Sequence, residues 1–184
     1  MEKETPHIKY HLIKLIVYTV LAIFVFIFRS FHIANLRYFI GALMLVYAIE
    51  EVLFDMLFFR KSILHKHKIY LAMAETTFAI VLIVAPITIE ITCIIWATWS
   101  ILREFQEIKE VIVDLRNITT RILSGLESIV AIVFSVMLIL EPGEHHALIH
   151  IYLLLVELVL NPIVPLLDEL ISKQKEKKEV IDQA

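Results

Sequence analysis

Acidic residues interrupt the apolar segments of this chain, and they are the residues best suited to chemistry. An acid at the centre of a bilayer costs roughly 2.5–3.5 kcal/mol on insertion scales, so several acids facing lipid would oppose insertion. We therefore expect them to point into a helix bundle, where they could accept protons or coordinate a cation. The acids inside or beside the apolar segments are Glu50, Glu51, Asp55, Glu75, Glu104, Glu107, Glu127, Glu157 and Asp168.

The spacing of these acids indicates an internal repeat. Glu51, Glu104 and Glu157 follow one another at intervals of 53 residues, and Glu75 precedes Glu127 by 52 residues. A period of this size is typical of a repeated two-helix unit. Equivalent positions in such units lie at equal depth, so the sequence predicts one acidic layer in the cytoplasmic half of the bundle.

Several members of this layer have a neighbour one helical turn away, where side chains share a face. Arg103 is the basic residue nearest the layer, and an ion pair with Glu107, Glu51 or Glu157 would lower its desolvation cost. Three interpretations stay open: a proton- or cation-binding cluster, acids that hold helices together, or acids solvated at the membrane surface. The pairs are Glu51 with Asp55, Glu104 with Glu107, and Glu157 with Asn161.

Other chemical signals are weaker. His146 and His150 are one turn apart and could share a metal ion, although no third ligand is defined. The alternative is a solvated helix start. No phosphate-binding loop, dinucleotide-binding motif, zinc-hydrolase motif or nucleophile elbow occurs, so we expect neither an enzyme nor a cofactor.

The elements that must position the acids are membrane helices. Of the 184 residues, 59% are hydrophobic, whereas soluble domains contain about 45–50% apolar residues. A bilayer-spanning helix needs about 20 mainly apolar residues, and lipid cannot satisfy unpaired backbone groups. The sequence predicts an all-α membrane protein with six transmembrane helices, arranged as three hairpins. The predicted spans are 12–30, 36–59, 68–85, 87–108, 121–140 and 147–170.

The distribution of basic residues predicts the orientation. All 17 lysines and arginines except Arg29, Arg37 and Arg103 fall at one set of helix ends. Because cytoplasmic loops carry the excess of positive charge, we expect both termini in the cytoplasm and a multi-pass protein of the cell (inner or plasma) membrane. The chain reads as one membrane domain, 1–184. Its predicted parts are repeats at about 12–62, 67–117 and 120–172, and a solvated tail over 173–184.

Two segments carry a resemblance to a known family. Tyr70-Leu71-Ala72-Met73-Ala74-Glu75 leads to Ala85-Pro86, and Ile122-Leu123-Ser124-Gly125-Leu126-Glu127 leads to Glu141-Pro142-Gly143. With these repeats the chain resembles the HdeD-like acid-resistance membrane proteins, which have three tandem two-helix units. The resemblance implies a non-enzymatic inner-membrane protein linked to acid or general stress, with no catalytic residues to transfer.

Two functions follow as hypotheses. The first is a non-enzymatic HdeD-like protein that acts through its structure or its partners. The alternative is a small channel or carrier for protons or cations that uses the intramembrane carboxylates. The first is slightly preferred, because no polar path through the outer half accompanies the acidic layer. The expected partners are the lipid bilayer and, for the alternative, protons or cations. A homo-oligomer is left open, and nothing points to nucleic acid.

Overall fold

The computed structural model describes residues 5–28, 35–59, 66–114 and 117–182. The described residues form α-helices joined by short connections and contain no strand. This confirms the all-α prediction. The helices are α1 Thr5–Phe28, α2 Leu36–Phe59, α3 Lys66–Val84, α4 Ile89–Asp114, α5 Ile118–Leu140 and α6 Glu144–Asp182.

Helix ends follow local chemistry. α3 ends at Val84, two residues before Pro86, because the residue preceding a proline is disfavoured in helical conformation. α4 runs to Asp114, six residues beyond its predicted span of 87–108. α6 continues through Pro162 and Pro165, so the segment predicted as a solvated tail is helical to Asp182.

The helices pack in a cyclic order. The most extensive contacts join α2 to α3, α4 to α5 and α1 to α6, and α5 also contacts α6. Each of the first three pairs therefore joins one predicted hairpin to the next. Their shared core includes Tyr18 of α1, Met44 of α2, Trp96 of α4 and Leu158 of α6. The repeat boundaries themselves stay a prediction.

Two contacts fix α2 against α3. Gly41 lies so close to α3 that an added Cβ would stand 2.8 Å from Cγ1 of Ile83 and 3.1 Å from the carbonyl oxygen of Ala79. One helical turn before Gly41, at the same end of this interface, Arg37 donates from Nη1 to the carbonyl oxygen of Ala85 at 2.6 Å. The same carbonyl, just after the end of α3, also accepts from the backbone N–H of Ile87 at 2.9 Å.

Two helices among the described residues are long and apolar enough to cross a bilayer. They are Ile118–Leu140, with hydropathy 2.3, and Glu144–Gln174, with hydropathy 2.1. In the apolar 18-residue stretch of each helix, only 33% and 39% respectively is buried. Much of the apolar surface of both helices therefore faces outward. Large exposed apolar surfaces mark membrane or protein contacts. The structure is thus compatible with a membrane location.

Candidate functional site

A polar cavity lies inside the bundle, between α2, α4 and α6. It has room for about one water molecule. Trp96, Ser100 and Glu104 line one side, because residues four apart share a face of α4. The full lining is Tyr47, Trp96, Trp99, Ser100, Arg103, Glu104, His150, Leu154, Glu157 and Asn161.

Glu75 of α3 is held by two donors from α4. Trp99 donates from Nε1 to Oε1 of Glu75 at 2.9 Å, and Arg103 donates from Nη1 to the same oxygen at 3.2 Å. Arg103 also lies over the Tyr47 ring, 3.8 Å from the ring centroid. Glu75 is fully buried, and a buried carboxylate needs such a partner. The sequence had paired Arg103 with other acids, so this ion pair is a new finding.

Glu104 and Glu107 of α4 meet Glu127 of α5. One carboxylate oxygen from each lies within 4.8 Å of the others, and we call these three residues the carboxylate cluster. Glu104 is 3% exposed, and Glu107 and Glu127 are half-buried. Within the described part of the chain, Oε2 of Glu104 and Oε1 of Glu127 are buried without a hydrogen-bond partner.

The sequence of α5 explains why these acids approach one another. Its buried face carries small side chains that allow two helix backbones to come close. One of them, Ser128, places its hydroxyl beside the Glu104 carboxylate. The buried residues of α5 are Thr120, Ser124, Ser128, Ala131, Ser135 and Leu138.

α6 adds a further acid and an amide. The negative charge of Glu157 acts on Glu104 and on Glu127. Asn161 donates from Nδ2 to Oε2 of Glu107 at 3.1 Å. The sequence had paired Asn161 with Glu157 on its own helix, and the structure directs the amide to α4 instead.

α2 carries three of the candidate acids, and the structure describes the side chain of one of them, Glu50. Glu50 is buried, accepts a hydrogen bond from the Tyr18 hydroxyl at 2.5 Å and lies 3.5 Å from the Lys14 ammonium. Tyr18 thus supplies from α1 a donor for an acid of α2. The side chains of Glu51 and Asp55, both candidates from the sequence, lie outside the described residues.

Asp168 has a local structural task. Its Oδ1 accepts from the backbone N–H of Asn117 at 2.8 Å, from Asn117 Nδ2 at 3.0 Å and from the Thr120 hydroxyl at 2.6 Å. Asn117 is the N-cap of α5 but makes no side-chain cap of its own. The carboxylate of α6 therefore takes over that capping role at the positive end of α5.

The two histidines of α6 occupy different surroundings. His150 is 3% exposed and packs edge-on against Trp96, with ring centroids 4.6 Å apart. His146 is more exposed, and its Nε2 lies 3.6 Å from a carboxylate oxygen of Glu141. A shared metal ion stays a prediction. The sequence had not joined His150 to the acids, although it lies two turns from Glu157 on one helix face.

The chain is thus an all-helical bundle with an acid-rich polar interior. Comparison with protein-family models, curated proteins and solved structures finds no match. The resemblance to HdeD-like proteins stays a prediction.

Proposed function

We propose that the chain is a multi-pass membrane protein that moves protons or cations through its acid-rich interior. Six spans with both termini in the cytoplasm would place the carboxylate cluster in the cytoplasmic half of the cell membrane. The all-α fold and two membrane-length apolar helices support the location. The excess of positive charge at one set of helix ends supports the orientation.

The carboxylate cluster is the observation that carries this proposal. Glu127 faces the negative charges of Glu107, Glu104 and Glu157. Like charges this close in a poorly polar interior repel strongly. Protons or a cation relieve that repulsion, and an exchange of either across the bundle would constitute transport. Acids inside a membrane are costly, and their usual roles are ion pathways and proton relays.

His150 supplies part of a polar path through the outer half of the bundle, which the sequence did not reveal. It lines the same cavity as Glu104 and Glu157, and it precedes Glu157 by two helical turns, or roughly 10 Å along α6. Imidazole can accept and donate a proton. The polar lining therefore continues from the carboxylate cluster toward the start of α6.

Flux through reconstituted protein tests the proposal. Proteoliposomes with wild-type protein should pass protons or cations down an imposed gradient. Glu104→Gln/Glu127→Gln should abolish that flux. The matched control Glu90→Gln/Glu141→Gln removes two exposed acids and should leave it unchanged. Absence of wild-type flux, or undiminished flux in the cluster variant, would contradict the proposal.

A second candidate is the non-enzymatic stress-related protein, in which the acids serve helix packing. Glu75, whose Oε1 accepts from two donors of α4, and the capping carboxylate Asp168 favour it, because both tie one helix to another. This candidate requires that wild type shows no flux and that the cluster variant unfolds more readily.

Reporter fusions after residues 32, 86, 142 and 184 test the orientation, and only the last should report the cytoplasm.

A further inference from the structure

We propose that Glu104, Glu107 and Glu127 form a binding site for one divalent cation that prefers oxygen ligands. The inference rests on the proposed function, because it assigns a ligand to the same carboxylate cluster. It goes beyond that function by naming the ligand class and the atoms that bind it. The class comprises Mg²⁺, Mn²⁺ and Ca²⁺, which carboxylate oxygens suit best.

The oxygen spacing fits such an ion. Each of the three residues contributes one carboxylate oxygen, and these atoms lie within 4.8 Å of one another. Two ligands on opposite sides of Ca²⁺, each at about 2.4 Å, are about 4.8 Å apart, and ligands around Mg²⁺ are closer together. Three oxygens at this separation can therefore contact one central ion with little movement.

An independent observation points to a missing ligand. Glu104 is 3% exposed, yet within the described residues its Oε2 has no hydrogen-bond partner. A carboxylate oxygen buried in this way loses its hydration without compensation. Because Glu104 also belongs to the cluster, a cation there would restore the lost interaction.

Charge balance favours two positive charges over one. When these carboxyl groups are ionised, Glu157 adds a fourth negative charge to the three of the carboxylate cluster. Arg103, which acts on Glu104 and Glu157, donates to Glu75. A divalent ion would offset two carboxylates at once. The adjacent Ser128 hydroxyl and the small cavity could complete the coordination shell with neutral oxygens.

Binding of Mn²⁺ tests the site without a transport assay. The full chain, purified in detergent and stripped with a chelator, should take up about one Mn²⁺ per molecule, measured by the electron paramagnetic resonance signal of the free ion. Loss of first-sphere ligands in Glu104→Gln/Glu127→Gln should weaken binding by more than about 10- to 100-fold, the loss that outer-sphere changes cause. Glu90→Gln/Glu141→Gln should bind as wild type does.

Absence of saturable Mn²⁺ binding to wild type, or equal binding to the cluster variant, overturns the inference. A variant that fails to fold is replaced by the single change Glu127→Gln and by thermal unfolding of wild type, which Mn²⁺ should stabilise saturably. No stabilisation also overturns it. Proton flux without Mn²⁺ binding overturns this inference alone, whereas Mn²⁺ binding without any flux overturns only the proposed transport.

Discussion

Replacing Arg103 with methionine should expose the cost of burying Glu75. Methionine keeps much of the side-chain volume but removes the guanidinium that lies 3.2 Å from Glu75 Oε1. Glu75 is fully buried, and Arg103 is 17% exposed at its side chain, so solvent screens the pair little. Removing one partner of a buried ion pair costs about 3–5 kcal/mol, because the other charge stays uncompensated.

The double variant Glu75→Gln/Arg103→Met separates this cost from the other contacts of Arg103. It removes both charges, and glutamine can still accept the Trp99 hydrogen bond. The residual loss should be about 1–2 kcal/mol, the value of a desolvated cation–π contact such as that with Tyr47. The double variant should therefore be more stable than Arg103→Met alone by roughly 1–4 kcal/mol, the difference between the two losses.

Equilibrium unfolding in mixed detergent micelles measures these differences. Trp99 lies in the site and Trp96 lines the same cavity, so tryptophan fluorescence reports the unfolding of this region directly. Arg121→Met, at an exposed position of α5, is the matched control and should change stability by less than about 0.5 kcal/mol. A double variant no more stable than Arg103→Met would refute the reasoning.

Further predictions concern helix capping, close packing and accessibility. Asp168→Ala should lower stability by about 1–3 kcal/mol, since it removes the carboxylate oxygen that accepts from the buried backbone N–H of Asn117. Thermal unfolding in detergent measures the loss, and an unchanged midpoint would contradict the capping role. Gly41→Val should cost about 1–3 kcal/mol by forcing Ile83 aside, and a variant as stable as wild type would show that the interface yields freely. Cys93 is fully buried, so a maleimide probe should label it only after denaturation. Rapid labelling of the folded protein would contradict that burial.

The sequence predicts the helices well because apolar runs and breakers act locally. Local breakers lie where two helices end. α3 ends just before Pro86, and α5 ends just before the turn Glu141-Pro142-Gly143. The cyclic packing could not be read from the same pattern, because apolar periodicity shows which face of a helix is buried but not which helix covers it. The orientation and the number of spans stay predictions.

The sequence predicted which acids belong to the candidate site, but it predicted only some of the contacts between them and their partners. Repeat spacing placed Glu104 and Glu127 in one layer, and the structure brings both into the carboxylate cluster. The sequence paired Arg103 with Glu107, Glu51 or Glu157, and those pairs stay predictions. Glu75 is a partner that the sequence did not indicate, because the packing of α3 on α4 brings the two side chains together. Asn161 illustrates the same limit. Its amide donates to Glu107 of α4, whereas the sequence placed it beside Glu157 on its own helix.

The contact between α1 and α6 constrains how the chain is made. The 115 residues between Phe28 and Glu144 must leave the ribosome before α6 begins to appear, which takes about 6–23 s at synthesis rates of 5–20 residues per second. During that interval α1 is without the helix that it packs against in the folded protein, because α6 has not yet been synthesised. Tyr18 and the acid it donates to, Glu50, are both available early, so this bond can hold the first helix in place. Ribosome stalling within α6 should therefore leave an intermediate whose α1 is anchored to α2 but open on its other side.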